Sequence, residues 1–330
     1  MSYLEKKIKF LKKPDLLLPN AKRAIMVNMN YLPRNSSGGW LSIEKQNLHN
    51  HNNAQISLYA RGRDYHKVLR ERLKRLGSQI SAEMKSFGYR ACVDSAPIFE
   101  VELACKGGLG WRGKNTLLLR KNEGSFFFLG VLLTDFPLKP SQGNYTNNCG
   151  NCSACLEICP TKAFVGPYKL NAKKCISYLT IEHKGIIEKS LRPLIGNRVF
   201  GCDDCQLVCP WNKYAKLAIL GDFDVRNGLD NQTLISLFNW EKNEFLDRNA
   251  GSSILRIGYE QWLRNLAIGL GNSAKYLGKN INNKESKKLS SKIIFSLKKR
   301  LSLNYSKKIL NPHLIWAIER FKIAGLLDKF

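Results

Sequence analysis

Cys149-Gly150-Asn151-Cys152-Ser153-Ala154-Cys155-Leu156-Glu157-Ile158-Cys159-Pro160 is the stretch on which the fold turns. Three cysteines at successive three-residue steps put three thiolates on one tight loop, the spacing that clasps a [4Fe–4S] cube. The fourth, followed by proline, reaches toward a second cube. A second run, Cys202-Asp203-Asp204-Cys205-Gln206-Leu207-Val208-Cys209-Pro210, has the same tail but lacks the leading cysteine, whose place is held by Val199. Cys175 lies between the runs and can supply the missing thiolate. Exchanging the fourth ligands gives Cys149, Cys152, Cys155 and Cys209 to one cluster and Cys202, Cys205, Cys175 and Cys159 to the other. Cys92 and Cys105 have no metal spacing and read as small buried residues. Zinc ribbons also use Cys-x-x-Cys pairs, but rarely three cysteines at three-residue steps closed by Cys-Pro. A double-cluster module of this kind transfers electrons.

The rest of the 330-residue chain gives that module a setting. Lys and Arg number 53 against 26 Asp and Glu, a net charge of +27. Such an excess repels itself in a compact state, and a polyanion such as nucleic acid is the natural partner to relieve it. No apolar run approaches the ~18–20 residues of a membrane span. The start, Met1 to Lys9, has no signal-peptide pattern. Ten cysteines without a signal point to a reducing cytoplasm and to metal over disulfides. The expectation is a cytoplasmic monomer with no membrane contact.

Three segments are expected, giving an α+β multidomain fold. Residues 1–140 mix strands and helices: a strand over Ala24–Val27, a helix over 64–88 with apolar residues at helical spacing, and a strand over Tyr89–Val93. A helix over Pro97–Lys106 and a hairpin of Leu117–Leu119 with Phe126–Leu133, turned at Asn122-Glu123-Gly124, complete it. Residues 141–218 hold the ferredoxin-like two-[4Fe–4S] module. Residues 219–330 read as successive helices, Leu234–Phe238, Glu241–Leu246, Ser253–Leu270, Lys287–Leu301 and Pro312–Leu327. Lys279, Lys284, Lys287, Lys288, Lys292, Lys298, Lys299, Arg300, Lys307 and Lys308, opposed by Glu285, form a basic stretch suited to phosphates.

A bare electron carrier needs nothing like the 140 residues ahead of the cysteines. Asp64 is placed to cap the 64–88 helix. Asp94 ends a strand just before Pro97, where side chains of α/β domains often face a ligand crevice. Gly107-Gly108-Leu109-Gly110-Trp111-Arg112-Gly113-Lys114-Asn115-Thr116 can bring backbone close to a large cofactor, but its glycine spacing is not that of a P-loop.

Taken together, Tyr31-Leu32-Pro33, Tyr59 to His66 (Tyr-Ala-Arg-Gly-Arg-Asp-Tyr-His), Val93-Asp94-Ser95-Ala96-Pro97, Gly108-Leu109-Gly110-Trp111 with Gly113-Lys114, and Gly201 to Asn212 resemble epoxyqueuosine reductase of the QueG type. The likeness continues through Gly251-Ser252-Ser253-Ile254 with Arg256-Ile257-Gly258, and through Trp262-Leu263-Arg264-Asn265. It implies cobalamin, two [4Fe–4S] clusters and an electron donor not identifiable from sequence. It also implies the last step of queuosine synthesis, reduction of epoxyqueuosine at the wobble position of tRNA. Asp94 matches the family's proposed proton donor. Asp64, Tyr65, His66, Asp94, Lys114 and Asn115 fall where cobalamin contacts are expected, and the helical tail, HEAT-like by resemblance, where tRNA is gripped. Family members usually carry a further segment ahead of the part resembling residues 1–33, so the resemblance implies a shortened amino end. Two rivals share features. A reductive dehalogenase-like enzyme uses the same cofactors on organohalides, but the +27 charge and absent export signal oppose it. A ferredoxin-like carrier with a nucleic-acid-binding appendage would bind no cobalamin.

Overall fold

The computed structural model describes residues 8–36, 38–84, 86–141, 143, 146–303 and 308–327; Lys307 and the first seven residues lie outside them. Phe127–Thr134, an almost unbroken apolar run, is the central strand of a three-stranded sheet. Arg23–Asn30 and Tyr89–Cys92 flank it, both antiparallel to it. The Tyr65–Glu83 helix lies on one face through Leu69 and Leu73. Gly130 makes that approach possible, because an added Cβ would sit 3.1 Å from Leu73 and 3.3 Å from Leu69. On the other face Val131 and Leu133 pack with Leu17, Cys92 and Ile98.

The helix starts where Asp64 was expected to cap it, the carboxylate accepting from the His66 backbone N–H. It stops at Glu83, because Met84 is already extended, short of Gly88. The Pro97–Lys106 helix is shorter than expected, forming only over Glu100–Lys106. The Leu117–Leu119 hairpin is a correction. Its turn forms, with Arg120 bridging Gly124 at φ +64°. Leu118–Leu119 nevertheless pairs with Trp111–Arg112, while Phe127–Thr134 has both edges taken by other strands. Turn chemistry set the reversal, and burial of the central strand chose the partners.

The cysteine-rich stretch is mostly loop, carrying one four-residue helix in each run, Ala154–Glu157 and Asp204–Leu207. Beyond it the expected helices form with shifted ends; the one expected over Ser253–Leu270 is divided at Gly258, φ +74°, into a 3-10 turn over Ser253–Ile257 and the central helix Gly258–Lys279. Gly271 of that helix has no room for a Cβ, which would lie 2.6 Å from the Trp316 ring. Its absence lets Asn311–Ile323 pack closely. One core runs across the expected boundaries at 140 and 218. Ala54, Ile56 and Ala60 share it with Val199, Phe200, Trp262 and Phe321. Gln55–Ile56 pairs in parallel with Arg198–Phe200 across the same seam. Among the described residues no helix is long and apolar enough to cross a membrane.

Candidate active site

No disulfide joins any of the ten cysteines, and eight of them fall into two groups by position. Cys149, Cys152, Cys155 and Cys209 line one recess with Lys114, Asn148 and Trp211. The loop is held there by Lys114, whose Nζ donates to the carbonyls of Gly150 at 2.6 Å and Cys152 at 2.9 Å. Trp211 Nε1 donates to the Asn148 carbonyl at 3.2 Å. Cys159, Cys175, Cys202 and Cys205 line a separate, larger cavity of about 520 Å³. Cys92 and Cys105 are buried elsewhere, in the packing of the sheet and its neighbouring helix.

The thiols carry a consistent electrostatic message. Burial, and then the Cys209, Cys149 and Cys152 thiolates, push Cys155 up to about 11. Burial pushes Cys202 and Cys205 well above the usual thiol range, with Asp204 adding to the first and Cys175 to the second. Cys155, Cys202 and Cys205, held up in this way, need positive charge beside them before they can act as thiolate ligands. Among the described residues no three His, Cys, Asp or Glu side chains converge as a single ion requires. The cysteines surround recesses instead, which suits a polynuclear iron–sulfur group.

Asp94 stands in the wall of the cavity of the second quartet, 29 residues along the chain from Tyr65 and far closer in space. The Tyr65 hydroxyl donates to Asp94 Oδ2. His66 Nε2 lies 2.7 Å from Asp94 Oδ1, and His66 Nδ1 lies 2.8 Å from Asp64 Oδ1. Asp64 is anchored in turn by its own N–H, which donates to the Gly251 carbonyl at 2.7 Å. Tyr65 is clamped between two rings, stacked on Phe128 at 4.1 Å and on His66 at 4.1 Å.

This carboxylate–imidazole–carboxylate chain decides where the proton sits. Burial alone would lower the His66 pKa, and the positive end of its helix opposes a cation there. Hydrogen bonds and charge from Asp64 and Asp94 outweigh both and raise it to about 9. Burial alone would raise the Asp94 carboxyl, but the His66 hydrogen bond and charge hold it below the usual carboxylate range. At neutral pH the resting pair is therefore imidazolium and carboxylate. The proton is stored on His66, one hydrogen bond behind Asp94.

A second cavity, of about 570 Å³, opens beside the first and shares Asp94, Glu182 and Arg256 with it. Asp64 and His66 line this second space, and Tyr65 and Asn115 the first. Lys114 lines neither and belongs to the first cysteine recess. Together the cavities exceed the ~300–1,000 Å³ of ordinary small-molecule sites. The aromatic and apolar walls of the first, Tyr31, Tyr59, Phe127, Phe128, Ile176 and Ile181, suit a broad, flat ligand, and the second is mostly polar.

Arg256 and Glu182, paired at 2.5 Å across the junction, carry no role in the sequence reading. The available signal was the polar segment around Arg256, closed by Gly251 and Gly258, both at φ +74°. Of the basic tail, Lys284, Lys287, Lys288, Lys292 and Lys299 are exposed. Arg300 is buried, donating to the Phe238 and Trp240 carbonyls, so it is no part of that surface.

Comparison with known proteins gives this geometry a context. Residues 12–95 match the family model described as Epoxyqueuosine reductase QueG, and residues 148–212 match a 4Fe-4S double cluster binding domain. The chain is 48% identical to an epoxyqueuosine reductase of Pseudomonas aeruginosa over 308 residues, covering 93% of this chain and 79% of that one. It is 51% identical to the Escherichia coli K12 epoxyqueuosine reductase over 261 residues, covering 79% and 67% of the two chains. Among solved structures, an epoxyqueuosine reductase from Bacillus subtilis, with its catalytic aspartate loop swung out of the active site, superposes with TM-score 0.73 at 26% identity. That likeness covers 95% of this chain and 86% of the other. An epoxyqueuosine reductase bearing an epoxyqueuosine-modified tRNA-Tyr stem loop gives TM-score 0.70 at 26% identity, covering 94% and 84%.

Proposed function

This chain belongs to the epoxyqueuosine reductase family, and on that footing we propose that it reduces epoxyqueuosine to queuosine in tRNA, using two [4Fe–4S] clusters and cobalamin in the cytoplasm. Cys149, Cys152, Cys155 and Cys209 would hold one cluster, and Cys159, Cys175, Cys202 and Cys205 the other. The joined cavities beside the second quartet would hold cobalamin, against Tyr31, Tyr59 and Phe128, with the modified base. When bound, these groups supply the electrons. We assign cofactor and catalytic side chains to residues 1–140, the clusters to 141–218, and the basic helices of 219–330 to the RNA.

The protein's own chemistry is proton delivery. Deoxygenating an epoxide to an alkene consumes two electrons and two protons and releases one water. The departing oxygen develops negative charge and needs a proton at the moment of cleavage. Asp94 faces the cavity, and His66 Nε2 recharges it through the bond at 2.7 Å. Asp64 holds the imidazole ring in place through Nδ1. Tyr65 fixes the other carboxylate oxygen.

The observation that carries this reading is the Asp94–His66–Asp64 chain at the junction between the second cysteine quartet and the open cavity. Its test is nucleoside analysis of epoxyqueuosine-containing tRNA after anaerobic incubation with the cluster- and cobalamin-loaded protein and a reductant. Queuosine is expected; its absence from fully loaded protein overturns the reading. The raised His66 pKa adds a pH signature. The stored proton is present below about 9 and lost above it, so kcat is expected to stay level through neutrality and fall above about pH 9. A profile level to pH 10.5 would remove His66 as the store.

A further inference from the structure

The basic surface contains a recess that the reaction site does not use. It lies where the last turns of Gly258–Lys279 meet the Arg192–Ile195 and Asn311–Ile323 helices, and has a volume of about 480 Å³. Lys275, Lys279 and Arg320 line it, together with the rings of His51 and Tyr276, and no carboxylate among the described residues lines it. Lys275 and Lys279 are one turn apart on one helix face and exposed. Arg320 lies over the Trp316 ring at 5.9 Å, and its Nε is buried with no hydrogen-bond partner among the described residues. Tyr276 is 44% exposed, and its ring faces that of His51 at 5.1 Å and 33°. Burial, then His49 and Lys275, lowers the His51 pKa and keeps that ring neutral.

Three cations lining one recess repel one another until an anion enters. An inorganic phosphate would satisfy the charge but leave the paired rings unused. Cations beside exposed flat rings are the chemistry that takes a nucleic-acid strand, phosphates on the cations and a base on the rings. Arg256, at the reaction cavity, stands two residues before Gly258, and the helix from Gly258 ends in Lys275–Lys279. At 1.5 Å per residue that separates the two places by about 25–31 Å, beyond the immediate neighbours of the wobble nucleotide.

We propose that this recess is a second tRNA contact, which grips backbone phosphates and stacks one unpaired base outside the anticodon stem-loop. It rests on the reading of tRNA as substrate. The test measures binding of full-length unmodified tRNA-Tyr and of its isolated anticodon stem-loop to the loaded protein across a salt series. Lys275→Ala/Lys279→Ala is expected to weaken full-length tRNA and make its log–log salt slope shallower by about two. Tyr276→Ala is expected to weaken it roughly fivefold or more with the slope kept. Stem-loop affinity and stem-loop turnover should match the parent in both variants. Parent affinity and slope for full-length tRNA in both variants would overturn the proposal, and so would an equal loss on the stem-loop. Because the bound RNA is unmodified, the result stands apart from the chemistry: failure to form queuosine with binding intact would overturn only the assigned reaction.

Discussion

Reconstituted without oxygen, Cys149→Ala/Cys209→Ala protein is expected to keep one intact four-iron cluster, about four iron atoms per chain against about eight in the parent. Cys149→Ala/Cys159→Ala is expected to damage both clusters, with no full four-iron complement at either site. The two doubles are chosen because the simplest assignment, each run holding its own cluster, predicts the reverse. In the structure Cys209 lines the recess of Cys149, Cys152 and Cys155, while Cys159 lines the cavity of Cys175, Cys202 and Cys205. Removing two thiolates from one quartet leaves the other untouched, whereas removing one from each leaves two incomplete sites. Iron analysis with electron paramagnetic resonance of the reduced proteins reads the difference. An intact four-iron signal in Cys149→Ala/Cys159→Ala, and none in Cys149→Ala/Cys209→Ala, would sink the assignment.

Asp94→Asn is expected to lower kcat by about 10²–10⁴-fold with iron content and tRNA affinity unchanged. An amide occupies the same space but cannot pass a proton from His66 to the departing oxygen. It also removes one of the two carboxylates that hold the imidazolium, so the His66 pKa should fall from about 9 toward its ordinary value, carrying the alkaline limb of any residual activity with it. The sign for stability follows from the same shift. A histidine whose pKa is raised by folding stabilises the fold fully below its unfolded pKa of about 6.5 and loses that contribution as pH rises through about 9. The Tm difference between parent and Asp94→Asn should therefore be larger near pH 6 than near pH 10. Parent-like turnover in the variant would remove Asp94 from the reaction.

How much of this could be read from the chain depended on the separation of the residues involved. The Asp64 cap was legible because the carboxylate and the N–H it accepts from are two residues apart, a distance governed by local backbone geometry. The central strand was legible as an apolar run, but its partners were not. The Asn122-Glu123-Gly124 turn pointed to the adjacent segment, and burial paired it instead with Arg23–Asn30 and Tyr89–Cys92. Lys114 shows the same limit. Its glycine-rich setting suggested cofactor contact, yet its ammonium finds two carbonyls of the cysteine loop, 36 and 38 residues on.

The sequence by itself determined that two cysteine runs of iron–sulfur spacing sit in a strongly basic chain behind a mixed α/β region, because such spacing works within a single loop. It also carried the arithmetic that sends each run's last cysteine to the other group. Tertiary structure alone decided that Asp94 meets His66 and Tyr65, that Arg256 faces Glu182 across the cavity mouth, and that Arg300 turns inward away from the basic surface. These pairs join segments that no local rule connects. They form only when burying Phe127–Thr134 and Gly258–Lys279 brings distant loops together, and the proton's resting place on His66 follows from that packing.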